Sequence, residues 1–83
     1  MYENFPNPFN PTTLIRYDIP ANSFVKLVVY DITGKEVTTL VNETMPAGKY
    51  EAVWNGQKFA SGVYFYRITA GDFKSIKSMV LLK

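Results

Sequence analysis

The sequence predicts an all-β fold, an antiparallel β-sandwich of about seven strands, on three observations. Turn signals recur along the chain, apolar residues alternate between them, and no stretch carries a helical i, i+3, i+4, i+7 stripe. The turns are Pro20-Ala21-Asn22-Ser23, Thr33-Gly34-Lys35, Pro46-Ala47-Gly48, Asn55-Gly56, Ser61-Gly62 and Ala70-Gly71-Asp72. Their spacing of roughly ten to thirteen residues, with one shorter step, is that of a sandwich or barrel.

The chain opens on Asn4-Phe5-Pro6-Asn7-Pro8-Phe9-Asn10-Pro11. Proline offers no backbone donor to a ladder and holds its predecessor extended, so residues 1–11 read as a Pro-rich leader and edge segment. The sandwich proper is expected over residues 12–83 of a single domain. A solvated linker has no need of Phe5 and Phe9, which are expected to cover an open end of the sandwich. In the run from Thr12, Ile15, Tyr17 and Ile19 share one face and Arg16 and Asp18 the other. In the next run Val25, Leu27 and Val29 lie opposite Lys26, although Val28 and Tyr30 make that second face apolar too. Val37 to Val41 and Tyr50 to Trp54 follow. Val63 to Tyr66 is apolar on both faces, as a central strand requires, and Phe73 to Leu82 forms a last strand. An apolar terminal strand at a sheet edge favours weak self-association by edge pairing. Tyr17, Leu27, Val29, Trp54, Tyr66 and Ile68 are expected to be buried, and Gly34, Gly48 and Gly62 to sit at turns where positive φ is easiest for glycine.

Eighty-three residues with 47% apolar and 16% aromatic content can offset the entropy of ordering, but a chain of this size hides only about 60% of its surface. The thirteen aromatic residues therefore have to supply much of the core. The absence of cysteine and histidine removes disulfides, thiolate and imidazole metal sites, and Ser-His-Asp or Cys-His catalysis. A net charge of +2 with scattered basic residues gives no reason to expect nucleic acid. No apolar run reaches the ~20 residues that cross a bilayer, and no basic-then-apolar signal peptide opens the chain.

The seven carboxylates show no local spacing suited to paired acid-base chemistry, so no enzyme activity, no cofactor and no metal are expected. Asp31-Ile32-Thr33-Gly34 lacks the oxygen density of a calcium loop and reads as a hairpin turn in which Asp31 caps backbone amides. Tyr50, Trp54, Tyr64 and Tyr66 would stack on sugar if exposed in a row, but their period-two apolar neighbours place them in the core. Asn42-Glu43-Thr44 matches a glycosylation sequon too short to carry weight.

Five segments in order, "FPNPFNPTTLIRYDIP", "VVYDITGKEV", "PAGKYEAVWNG", "ASGVYFYRITAG" and the closing "KSMVLLK", resemble the C-terminal sorting domains, type A, of the bacterial type IX, or Por, secretion system. The resemblance covers essentially the whole chain. It implies an immunoglobulin-like β-sandwich that follows a passenger protein and serves as its address. The passenger would cross the periplasm, pass the outer-membrane translocon, meet a sortase-like peptidase, and end secreted or on the cell surface. The residues that carry the family pattern are Pro6, Asn7, Pro8, Asp31, Gly34, Lys35, Gly62 and Tyr64, with Pro6-Asn7-Pro8 marking where the folded address begins. The ending, an apolar run between basic residues, points to Lys77, Met79, Val80, Leu81, Leu82 and Lys83 as the segment read by the translocon, by strand addition or edge contact. The front motif and Gly62-Val63-Tyr64-Phe65-Tyr66 are also similar to the immunoglobulin-like domain of flagellar hook-capping proteins, where such a domain is expected inside a larger chain. The alternatives to sorting are thus a structural domain of hook-cap type and a carbohydrate-binding accessory module using Trp54.

Overall fold

Alternation becomes six strands: β1 (Thr12–Ile19), β2 (Ser23–Tyr30), β3 (Glu36–Met45), β4 (Gly48–Asn55), β5 (Gly62–Ala70) and β6 (Phe73–Leu81). They are seen in a computed structural model that describes residues 1–83. There is no helix. The count is six rather than about seven because the leader does not become a regular strand. Its prolines break the supply of N–H donors, so it pairs only through isolated bridges, Phe5 to Leu14 and Phe9 to Leu81. The Phe5–Pro6, Asn7–Pro8 and Asn10–Pro11 bonds are cis.

The strands form two antiparallel sheets, β1-β4 and β3-β2-β5-β6. Both contribute to one apolar cluster: Ile15, Tyr17 and Ile19 from β1, Ala52 and Trp54 from β4, and Val25, Leu27, Val29, Tyr66, Ile68, Met79 and Leu81 from the larger sheet. All six residues expected in the core are buried. Each fully buried aliphatic or aromatic side chain of this kind stabilises the fold by about 1.5–3 kcal/mol through removal from water. The doubly apolar β5 occupies an interior position between β2 and β6, as its pattern predicts.

Turn chemistry joins the strands. Across the β2-β3 hairpin Asp31 N–H donates to the Lys35 carbonyl and Gly34 N–H to the Asp31 carbonyl, and Gly34 there has φ +89°. The β5-β6 hairpin turns on two residues, Gly71 and Asp72, with positive φ at Gly71 alone, the pattern of a type II′ turn. Gly48 and Gly62 open β4 and β5. Strand β3 runs to Met45, four residues past the expected Val41. Its polar Asn42, Glu43 and Thr44 are held by ladder pairing to Lys26, Val25 and Phe24, and on an edge strand they stay wet. Backbone pairing carries the strand through these three residues to Met45, which is buried again in the core.

Candidate functional site

The terminal segment divides sharply between core and surface. On β6, Met79 and Leu81 point inward and are fully buried. Val80 is half-buried on the opposite side, opposite Val63. Lys77 lies on the inward row, half-buried and opposite Tyr66. Leu82 is exposed, and Lys83 is tied down by two bonds, its backbone N–H donating to Ser61 Oγ at 3.1 Å and its Nζ to the Gln57 carbonyl. Four of the six residues expected to be read, Lys77, Val80, Leu82 and Lys83, therefore offer some surface; Met79 and Leu81 hold the strand in place.

The outer edge of that strand is already occupied at its C-terminal end. Phe9 N–H donates to the Val80 carbonyl and Leu82 N–H to the Phe9 carbonyl, both at 2.9 Å. Asn7 Oδ1 accepts from Val80 N–H at 3.0 Å. Phe9 is 2% exposed, its ring 5.6 Å from Trp54, whereas Phe5 is 74% exposed. Of the two phenylalanines expected to cover an open end, Phe9 does so and Phe5 does not. Phe5 instead uses only its backbone, exchanging bonds with Leu14 on β1. The leader thus leaves the smaller sheet, crosses the end of the core and finishes on the larger sheet.

A small buried polar network anchors this crossing. Asn4, 3% exposed, donates its backbone N–H to Tyr66 Oη at 2.8 Å and its Nδ2 to Thr13 Oγ1 at 3.1 Å. Thr13 Oγ1 in turn donates to the Pro6 carbonyl at 2.9 Å. Burial pushes the Tyr66 hydroxyl pKa up, partly offset by the Asn4 N–H that it accepts. Every group in the chain Asn4-Thr13-Pro6 is paired, so its burial is compatible with stability.

The remaining motif residues do structural work near the same end. Asp31 Oδ1 accepts from Thr33 N–H at 2.9 Å, Thr33 Oγ1 at 2.6 Å and Lys35 N–H at 3.1 Å, the capping role read from the sequence. The Thr33 hydroxyl bond, helped by those amides and the Lys35 charge, holds the Asp31 carboxyl below its ordinary pKa. Gly62 pairs with Leu81 at the start of β5. Tyr64 packs edge-on to Trp54 at 5.2 Å and donates its hydroxyl to the Ala60 carbonyl at 2.7 Å. Pro6 and Asn7 are in contact with the fold through their oxygens, while Pro8 is exposed.

The family model for secretion system C-terminal sorting domains matches residues 3–82. The chain belongs to that family. No curated protein and no solved structure gives a match. The sorting domain is the type IX secretion signal, which carries its passenger to the secretion machinery, and the match runs through both the leader and the terminal strand that the leader clasps.

Trp54, Tyr64 and Tyr66 of the sorting domain are buried at 3%, 7% and 0% exposure, while Tyr50, also expected in the core, is half-buried, stacked on Tyr17 at 5.7 Å and open to a surface groove, so the four offer no row of rings to a sugar. That surface groove, of about 510 Å³, lies over Tyr2, Phe5, Arg16, Asp18, Lys49 and Glu51. Two of its carboxylates are engaged within the fold: Asp18 accepts from Tyr2 Oη at 2.5 Å and Glu51 pairs with Arg16 at 3.1 Å. No cluster of three or more carboxylates is placed to hold a metal. Sequence reasoning missed Asn4, Thr13 and Gly56. Asn4 carries no periodic signal, and Thr13, though it stands on the inward row of β1 two residues before Ile15, is polar and has its partners outside its own strand. Gly56 looked like a turn residue, yet its constraint is space: a Cβ there would meet Leu81 Cδ2 at 2.9 Å.

Proposed function

We propose that this sorting domain is a non-catalytic address of type A that takes an N-terminal passenger across the periplasm and through the outer-membrane translocon, to release or to surface attachment after a sortase-like peptidase acts. Its architecture in this reading is an immunoglobulin-like sandwich related to that of hook-capping proteins, residues 12–83 with the leader 1–11 docked upon it. The observation that carries the reading is the family match over residues 3–82, which takes in the leader-to-β6 clasp at both its ends. The machinery reads the segment Lys77 to Lys83 through the charges and side chains that remain on its surface, since Met79 and Leu81 are spent on the core. Pro6, Asn7 and Pro8, with Asp31, Gly34, Lys35, Gly62 and Tyr64, build the end of the domain on which that segment is presented.

The test is a reporter fused ahead of the domain in a type IX-competent host, comparing the parent with Lys77→Glu and Lys83→Glu. Because Lys77 is half-buried and Lys83 is bonded to Ser61 and Gln57, each variant is melted beside the parent, and a variant that keeps its midpoint speaks to recognition. The expected result is retention of the reporter with an unchanged melting curve. Normal export of the double variant refutes the assignment of these lysines.

A further inference from the structure

The clasp covers only half of the β6 edge. Because Val80 turns its N–H and C=O outward to Asn7 and Phe9, its cross-strand pair with Val63 is of the type that exchanges no ladder bonds. Antiparallel pairing alternates, so Lys74, Ile76 and Ser78, opposite Thr69, Arg67 and Phe65, also turn their backbone groups outward. Nothing in the fold lies beside them, since β6 is the last strand of its sheet. Their N–H and C=O groups form an open row that continues the line of the leader. The opposite edge of the same sheet, β3, breaks its register with β2 at two points, and such bulges blunt an edge against pairing. β6 has no such break.

The side chains around this row select its occupant. Ile76 is 60% exposed on the outer face, beside a shallow hollow lined by Tyr30, Gly34, Phe65 and Arg67. Lys74 and Arg67 flank it on that face, Lys77 lies on the other, and none of the three is in an ion pair, the one ion pair of the molecule being Arg16 with Glu51. Arg67 rests over the Tyr30 ring at 5.3 Å. The acid nearest in sequence is Asp72, at the hairpin turn. A second copy is the wrong occupant: antiparallel pairing about Ile76 would bring the Lys77 residues of the two copies to diagonal positions with no acid between them, and edge lysines act against such pairing.

We propose that the β6 edge from Lys74 to Ser78 takes an extended acidic segment of a partner protein by strand addition, its main chain bonding the open row, an apolar side chain meeting Ile76 and carboxylates two residues to either side, on that same outer face, meeting Lys74 and reaching toward Arg67. This rests on the sorting reading and gives it a place and a partner chemistry: the strand is added next to the leader, not over the residues that the leader already covers. Main-chain bonding supplies affinity in this mode and alternate side chains supply specificity.

The experiment titrates the isotope-labelled 83-residue chain with a short synthetic peptide whose one face reads glutamate, valine, glutamate at every second position with threonine between, and with the same peptide carrying lysine for each glutamate. The expected result is amide shifts and slowed hydrogen exchange at Lys74, Ile76 and Ser78 with the glutamate peptide, and binding about tenfold weaker or worse, 1.4 kcal/mol, with the lysine peptide. Ser78→Pro removes an outward N–H and no ladder bond, so it should keep the melting curve and lose the binding; Ser75→Pro, whose N–H faces β5, should instead unfold the strand. No shift at the edge at millimolar peptide, equal binding of both peptides, or undiminished binding by Ser78→Pro overturns the proposal. Reporter export read in parallel keeps the two ideas apart. Edge binding without export of the parent fusion overturns sorting and leaves the edge, while export by a Ser78→Pro fusion overturns the edge as the export contact and leaves sorting.

Discussion

Phe9→Ala tests whether the leader belongs to the folded unit. Phe9 is 2% exposed, stacks obliquely on Trp54 at 5.6 Å, and its backbone carries both bonds that clasp β6. Truncating a buried phenylalanine costs about 3–5 kcal/mol, the lost transfer energy plus the cavity left behind. A domain of 83 residues has only about 4–12 kcal/mol in total at 0.05–0.15 kcal/mol per residue. The substitution thus removes a large part of the whole. If the leader lets go before the full cavity cost is reached, the loss is capped at the free energy of leader docking, and Phe9→Ala then melts like a chain lacking residues 1–11. Each kcal/mol moves the midpoint of a domain this size by about 4–8 °C, so a fall of at least about 10 °C is expected by circular dichroism. Phe5→Ala is the control, because a ring 74% exposed should change stability by less than about 0.5 kcal/mol. Midpoints for Phe9→Ala within a few degrees of the parent, or equal losses for the two variants, would refute the docking argument.

Other substitutions probe separate joints of the structure. Gly56→Ala puts a Cβ 2.9 Å from Leu81 Cδ2 and 3.4 Å from the Pro11 carbonyl, so overpacking by about 1–3 kcal/mol should appear as a lower urea midpoint; an unchanged midpoint would mean Leu81 repacks freely. Gly34→Val faces open space yet must adopt φ +89°, so its destabilisation comes from backbone strain alone, and Gly34→Asn should recover part of it. Asp31, with its carboxyl pKa lowered in the fold, stabilises the native state above the ordinary carboxylate range and loses that contribution as pH falls through the depressed value. The melting difference between parent and Asp31→Ala should therefore be widest near neutral pH and close on acidification; a difference independent of pH would sink the capping account. Tyr66, whose raised pKa comes first from burial, acts in the opposite direction, favouring the fold below pH 10 and weakening it as alkali rises toward the raised value, which the absorbance of ionised tyrosine would follow.

Strand content was legible because period-two alternation directly encodes which face is buried: Ile15, Tyr17 and Ile19 all turn inward as their spacing requires. Turn chemistry was legible too, since Asp31 and Gly34 act within a few residues of themselves. What was hidden depends on contacts between distant parts of the chain. Asn7 bonds Val80 across 73 positions and Asn4 bonds Tyr66 across 62, and nothing local in Asn-Phe-Pro-Asn distinguishes a phenylalanine that enters the core from one that stays outside. The candidate site was half legible for the same reason. Alternation implies that Met79 and Leu81 share a face, but only the path of the leader reveals that the Val80 edge is filled and that of Ile76 is open.

The clasp also decides which experiments can speak about recognition. The terminal residues serve the fold in two ways at once: Leu81 fills the core against Gly56, and the backbone of Val80 and Leu82 holds the leader that carries Phe9. Removing the last three residues withdraws a buried leucine, one clasping bond and the Lys83 tethers to Ser61 and Gln57 together. Loss of Leu81 alone costs about 2–5 kcal/mol, comparable with the entire stability of a domain this small. A truncated sorting domain that fails to export has therefore failed first as a folded object, whatever the machinery reads. A proline at Ser78 changes what a partner meets while leaving Met79, Leu81 and the Phe9 clasp untouched, and charge reversals at half-buried Lys77 and tethered Lys83 do so where their melting curves match the parent, so a loss of export from such folded variants can be assigned to recognition.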